Sequence, residues 1–297
     1  MSGVPVGFTL PPAQDDLGLL RELLLELPDY YEVAPETLWR EGEAGELVPN
    51  DYHALFLDLR ARTERPFVAH GVGWSPGTVA RGDEERRARW KRAIARSHAA
   101  FDFQWYSDHL GASSLAGEVC LLPLPLPMTA SMAAHLRARM AELQELVPTV
   151  GLENSVFYHH FGQVLEEPAF LADALDAAGM HLVLDLHNVH TTCLNAGVEP
   201  GDWLERAPLE RVIELHLSGG SDSEPAWLAS GGVRRLDSHD DAIPEAVWEL
   251  YEAWAPRCSA LRGITIERME GTLSAAAVPA LASELERARE LARRLPA

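Results

Sequence analysis

The sequence is short of positive charge: 25 Lys and Arg stand against 45 Asp and Glu, a formal net charge of −20. Nucleic-acid binding needs Lys and Arg in excess to neutralise phosphates, so that class is excluded as the main activity, and the acidic surface reads as a solvated one. Cysteine is scarce too. Cys120, Cys193 and Cys258 lie far apart without a CxxC pair, which excludes a disulfide framework and fits a reducing, cytoplasmic setting. No run of about 18 apolar residues occurs, and MSGVPVGFTLPPAQDD lacks a basic stretch leading into a long apolar one, so neither a membrane span nor export is expected. The zinc-protease motif HExxH is absent. HGVGWSPG is glycine-rich at Gly71, Gly73 and Gly77, but its spacing matches neither phosphate-binding fingerprint, and its glycines are expected to turn the backbone beneath a site.

What is present is a rhythm. Short β-type runs alternate with helical segments along all 297 residues, the pattern of a parallel sheet with crossover helices. Eight candidate strands are read: Val4 to Leu10, Tyr30 to Ala34, Phe67 to Val72, Phe101 to Ser107, Val150 to Asn154, Leu182 to His187, Val212 to Leu217 and Gly263 to Glu267. Helices are expected over Asp15 to Glu26, Asp83 to Ala99, Met132 to Leu146, Pro168 to Ala178, Pro244 to Trp254 and Ala276 to Arg294. With 47% hydrophobic residues the chain can fill one large core, and an α/β barrel takes about 250 residues. The expected architecture is therefore a (β/α)₈ TIM-type barrel, one domain over 1–297. LLPLPLPMT at 121–129 reads as a rigid βα loop.

Polar residues of ligand type fall at the strand ends: His70 after strand three, Asp108 and His109 after four, Glu153 and Asn154 after five. Asp185, His187, Asn188 and His190 follow at strand six, His216 at seven, Asp237, His239 and Asp240 in the next loop, and Glu267 at eight. In a barrel these ends share one mouth, so residues distant in sequence become neighbours. One strand-end histidine is ordinarily structural; imidazoles and carboxylates from six successive ends are not, because crowded carboxylates need cations to compensate them. Imidazole and carboxylate without thiolate suit iron, manganese, zinc or cobalt. So many ligands suggest two or three ions, with Glu153 as the natural bridge.

Other features take plainer readings. Ser107 beside Asp108 and His109 does not make a triad, because adjacent strand residues point to opposite faces. A period of two puts Asp185 and His187 on one face, with Asn188 opening the loop. His159, His160 and His190 lie beyond the strand ends and are expected to contact substrate, orient a ligand or face solvent. Among the tryptophans, Trp74 is the one placed to face a substrate.

Taken in order, HGVGWSPG, SDHL, LEN, LDLHNV, AGVEP, VIELHLSGG, LDSHDDAIPEAVWELY and TIERM resemble the multinuclear non-heme iron-dependent oxidative enzymes, over about residues 5–270. The family includes the catalytic subunit of methanobactin biosynthesis. The resemblance implies a TIM barrel holding two or three irons, mixed Fe(II)/Fe(III), that uses O₂ to oxidise a residue, often cysteine, of a ribosomal precursor peptide in natural-product biosynthesis. It also implies a separate partner that presents the leader peptide. The implied iron ligands are His70, His109, Glu153, Asp185, Asn188, His216, Asp237, His239 and Glu267, with Glu153, Asp185 and His216 carrying catalysis. Glu32, Glu36, Trp74, Asp108, His187 and His190 are expected to touch substrate or support the ligands. Departures occur at Ala34 and Thr37, where relatives carry His and Asn, at His187, where they carry Asn, and at Ser218 and Asn195–Ala196–Gly197. The alternative is a divalent-metal sugar isomerase or an endonuclease IV-like hydrolase on the same barrel.

Overall fold

The computed structural model describes residues 3–115 and 118–295. Eight parallel strands close into a barrel: β1 Val6–Thr9, β2 Tyr31–Val33, β3 Phe67–Gly71, β4 Tyr106–His109, β5 Val150–Glu153, β6 Met180–Asp185, β7 Val212–Leu217 and β8 Gly263–Ile266. Each strand pairs with the next, and β8 closes on β1. The expected (β/α)₈ architecture is what the chain adopts.

Alternation divides the strands' side chains. On β3, Phe67 and Ala69 join the large apolar layer against the helices, whereas Val68 joins Tyr30, Trp105, Val183 and Ile213 in a separate cluster inside the barrel. Tyr30 and Trp105 meet edge to face at 5.9 Å there, a geometry worth about 1 kcal/mol beyond burial. Their bulk explains two inward glycines: a Cβ on Gly7 would come within 2.4 Å of the Tyr30 ring, and one on Gly263 within 2.5 Å of its hydroxyl. The floor is thus filled, with the Tyr30 hydroxyl and the Trp105 indole both donating to the buried Glu214 carboxylate.

Three boundaries differ from expectation in ways that matter. Strand four starts at Tyr106, because Phe101 is the last residue of the helix Asp83–Phe101, packs on Phe67 and Phe103, and is followed by Asp102 in a left-handed turn. Aromatic β-propensity yields here to tertiary packing. Strand six ends at Asp185 and the helix Leu186–Ala196 begins at once, so His187 and Asn188 belong to a helical turn rather than to a strand and loop. The stretch 121–129 is not simply a loop: up to Leu124 it is the return strand Glu118–Leu124 of a hairpin with Ala112–Leu115, where an edge position tolerates proline. A second hairpin, Trp39–Glu41 with Leu47–Pro49, follows β2.

Smaller differences occur among the helices. The expected helix Asp15 to Glu26 is two, Gln14–Leu19 and Arg21–Glu26, and Asp51–Thr63 forms a helix that was not expected. Gly71, Gly73 and Gly77 adopt no left-handed backbone; a Cβ on Gly73 would strike the Trp90 ring at 2.0 Å, so close packing and not a turn requires glycine there. Cys193 and Cys258 are free and buried; the Cys120 side chain lies outside the described residues.

Candidate metal centre

Strand register brings the upper tier together. His109 pairs with Glu153 across β4 and β5, and Asp185 with His216 across β6 and β7. Three sets of ligand atoms lie mutually within 4.8 Å: Glu32, His70 and His216; His70, His109 and Glu153; and Glu153, Asp185, His216 and Glu267. Glu153 is common to the second and third sets.

Neighbouring groups fix how the imidazoles present themselves. His70 Nδ1 bonds Ser107 Oγ at 2.8 Å, leaving Nε2 3.2 Å from Glu153 Oε2. His109 Nδ1 donates to the carbonyl of Gly71 at 3.0 Å, leaving Nε2 3.0 Å from the same oxygen. His216 instead turns Nδ1 to the cluster, 3.1 Å from Glu153 Oε1 and 3.4 Å from Glu267 Oε2. Ser107, set aside as a nucleophile, therefore has a definite role, since it selects the nitrogen His70 offers.

Asp185 is split between two duties. Its Oδ1 caps the helix Leu186–Ala196, accepting from Asn188 N at 2.6 Å, while Oδ2 is buried without a partner. Asn154 clasps the same residue by accepting from Asp185 N and donating to its carbonyl. Asn188 Nδ2 is held by the Asn154 carbonyl, which leaves its Oδ1 unsatisfied.

The electrostatics describe a site that lacks positive charge. Burial would lower the His70 imidazole, yet Glu153 lifts it to about 10. His216 is likewise raised well above its usual range, against burial, by Glu267 and Glu32. Burial raises Asp185 well above the carboxylate range, and Glu153, Glu267 and Asp237 push it further, although a helix N-terminus favours its charge. Glu267 is held at about 2: burial opposes, but His216 and His239 prevail. Buried and unpartnered together are Glu153 Oε2, Asp185 Oδ2, Asn188 Oδ1, Glu267 Oε2 and His70 Nε2. A buried polar atom left unpaired costs on the order of 1–3 kcal/mol, more for a charged one. Cations held among these lone pairs would satisfy them, so the donor set fits hard or borderline divalent metals.

The remaining expected residues divide. Asp237 and His239 stand beside the three sets: His239 Nε2 bonds Asp237 Oδ1 at 2.7 Å, and His239 Nδ1 is 3.7 Å from Glu267 Oε2. His239 adopts a left-handed backbone at φ 49°, a strain typical of functional positions. His187 is buried with Nδ1 3.8 Å from Asp237. Trp74 does not face a substrate; it is fully buried, and its Nε1 donates to the Arg139 carbonyl. Asp108 and Glu36 point away from the barrel axis, where Asp108 accepts from the amides of Trp74 and Ser75, and Glu36 from those of Val72 and Gly73. They hold the loop after β3. His190 lines a pocket with Leu194 and Trp254 on the helix layer, and His159 is exposed.

Sequence reasoning gave Glu32 a supporting place and passed over Glu214. Glu214 is fully buried and accepts from Tyr30, Trp105 and Thr265. The period of two in VIELHL, which sets Glu214 on the face of His216, was the available signal.

Fold and site together define a TIM barrel whose mouth gathers buried His and Glu side chains that could hold metal ions. The family described as RiPP precursor modification enzyme MbnB/TglH/ChrH matches residues 17–293, and the chain belongs to it. Relatives include a UPF0276 protein of Caulobacter vibrioides, 31% identical over 66% of this chain and 66% of its own length. A UPF0276 protein of Pseudomonas aeruginosa is 30% identical over 94% of this chain and 92% of its own. Among solved structures, D-psicose 3-epimerase from Clostridium cellulolyticum superposes with a TM-score of 0.59 at 9% identity, covering 98% of this chain and 99% of that one. Endonuclease IV from Thermus thermophilus gives 0.52 at 16%, covering 96% and 99%. These two likenesses concern the fold. No helix among the described residues is long and apolar enough to cross a membrane.

Proposed function

We propose that this chain is an iron- and O₂-dependent oxidative enzyme acting on a ribosomally made precursor peptide, in the cytoplasm. The observation that carries the reading is the set of converging, buried and unpartnered ligand atoms around Glu153, in a chain that belongs to a precursor-modifying family. His70, His109 and Glu153 would hold one ion; Glu153, Asp185, His216 and Glu267 a second, with Glu153 bridging; Asn188, Asp237 and His239 are the remaining ligands of a third. Iron in mixed Fe(II)/Fe(III) form supplies one-electron chemistry with O₂ as oxidant.

The protein's own part is placement. Ser107 and the Gly71 carbonyl lock two imidazoles, Asn154 and the helix cap lock Asp185, and the filled floor closes the site from below. Loops after β5, β7 and β8 leave Phe161, Trp227 and Met269 exposed, apolar surface that a peptide can cover. The residue oxidised is proposed to be cysteine, with Asp, Asn or a C-terminal residue as the other choices, and a separate protein is proposed to bind the leader.

The test is anaerobic purification with iron, followed by mass spectrometry of a candidate precursor incubated with and without O₂. A mass change confined to the aerobic sample is expected; an unchanged mass in both would exclude the oxidase reading for that peptide. Colourless protein loaded with zinc or manganese would favour the isomerase or hydrolase chemistry instead.

A further inference from the structure

The three ligand sets cannot all be filled. His70 belongs to two of them, and with Nδ1 on Ser107 it has one nitrogen to offer; His216 faces Glu32 with Nε2 and Glu153 with Nδ1, so it would have to serve one set through each. The four-residue set decides the matter, because His216 Nδ1 faces it, 3.1 Å from Glu153 and 3.4 Å from Glu267. An imidazole that ligates through Nδ1 keeps its proton on Nε2. That nitrogen is fully buried and 3.2 Å from Glu32 Oε2, and both atoms lack a hydrogen-bond partner, so each is the nearest group able to satisfy the other. Thr9 Oγ1 donates to Glu32 Oε1 at 2.7 Å and so turns the second oxygen toward His216. Glu214 Oε2, held by Trp105, adds a second buried carboxylate 3.7 Å from the same nitrogen.

We infer that Glu32 is a positioning residue, not a metal ligand: it receives the Nε2 proton of His216 and thereby commits Nδ1 to the metal. The inference rests on the metal reading of the mouth. Ligating histidines commonly hand their other N–H to a carboxylate, which fixes the tautomer and makes the ring a stronger donor. Glu32 then also keeps a cation from settling among itself, His70 and His216, and reserves His70 for the set with His109. The three sets reduce to two seats sharing Glu153, with one orienting carboxylate from β2.

The experiment compares the full-length wild type, Glu32→Gln and Glu32→Ala, each loaded with Co(II). Metal content at saturation, affinity by chelator competition and the hyperfine-shifted, exchangeable imidazole N–H signals in proton NMR are measured, with melting of the metal-free proteins as the control for folding. All three are expected to bind the same number of ions. Affinity falls about 10- to 100-fold in Glu32→Ala, together with loss of one shifted N–H signal, and Glu32→Gln, whose amide oxygen still accepts, recovers most of both. One ion fewer at saturation in Glu32→Ala would make Glu32 a ligand and overturn the inference, as would unchanged affinity and spectrum. A wild type that binds no metal would instead defeat the metal reading itself.

Discussion

Two buried glutamates behave in opposite ways. Glu153, at the barrel mouth, is held far below the usual carboxylate range although burial pushes it up, because His109 and His70 stand beside it. Glu167, under the helix layer at the start of Glu167–Ala174, has no such company and is pushed by burial to about 8. Its Oε2 is unpartnered, and in a neutral carboxyl that atom need not carry charge. Burial alone therefore neutralises Glu167; at Glu153 the clustered imidazoles outweigh it and keep the carboxylate charged. The contrast shows what neighbouring imidazoles add at the mouth.

The largest test of that contrast is Glu153→Gln. It removes the residue common to two ligand sets, and metal affinity measured by chelator competition is expected to fall by more than about 100-fold, beyond the range typical of orienting residues, with oxidised product at background. A variant that still bound metal as tightly as wild type would reduce Glu153 to another buried acid. Next is Glu167→Gln. The carboxyl titrates ordinarily at 4.5 and in the folded chain at about 8, so the folded state holds the proton more tightly. Its contribution to stability is complete below the lower value and is lost as pH rises through the upper one, a change on the order of several kcal/mol at about 1.4 per pKa unit. Metal-free wild type should therefore melt progressively lower between these pH values, and the variant should show a flatter Tm profile; parallel profiles would mean that Glu167 is not neutral when folded. Smallest is Trp74→Phe, which deletes the hydrogen bond to Arg139 and should cost about 1 kcal/mol while leaving the KM for peptide unchanged. A raised KM with intact Tm would return Trp74 to the substrate surface.

Much of the fold was legible because βα alternation and strand-end residues obey local periodicities. The eight strands lie where apolar runs occur, and His70, His109, Glu153, Asp185, His216 and Glu267 meet as a shared barrel mouth requires. What failed to read lay in packing between elements and in one local cap. Phe101 looks like a strand residue until its packing on Phe67 is seen. Trp74 has the right position in sequence for a substrate contact, but Asp108 draws its amide inward and Arg139 takes its indole. His187 follows the strand alternation on paper, yet Asp185 caps a helix there and turns the chain.

By itself, then, the sequence determined the barrel, the end of it that carries chemistry and the residue types gathered there, since these follow from alternation, charge pattern and ligand chemistry. The tertiary structure alone decided which nitrogen each histidine offers, which carboxylate oxygen is spoken for by a cap, and that Glu32 joins the mouth. Apart from the cap, where Asp185 meets Asn188 three positions on, those depend on single hydrogen bonds between residues 23 to 38 positions apart: Thr9 to Glu32, His70 to Ser107 and His109 to Gly71. No local pattern encodes a distance of that kind; only closure of the barrel brings the partners within reach.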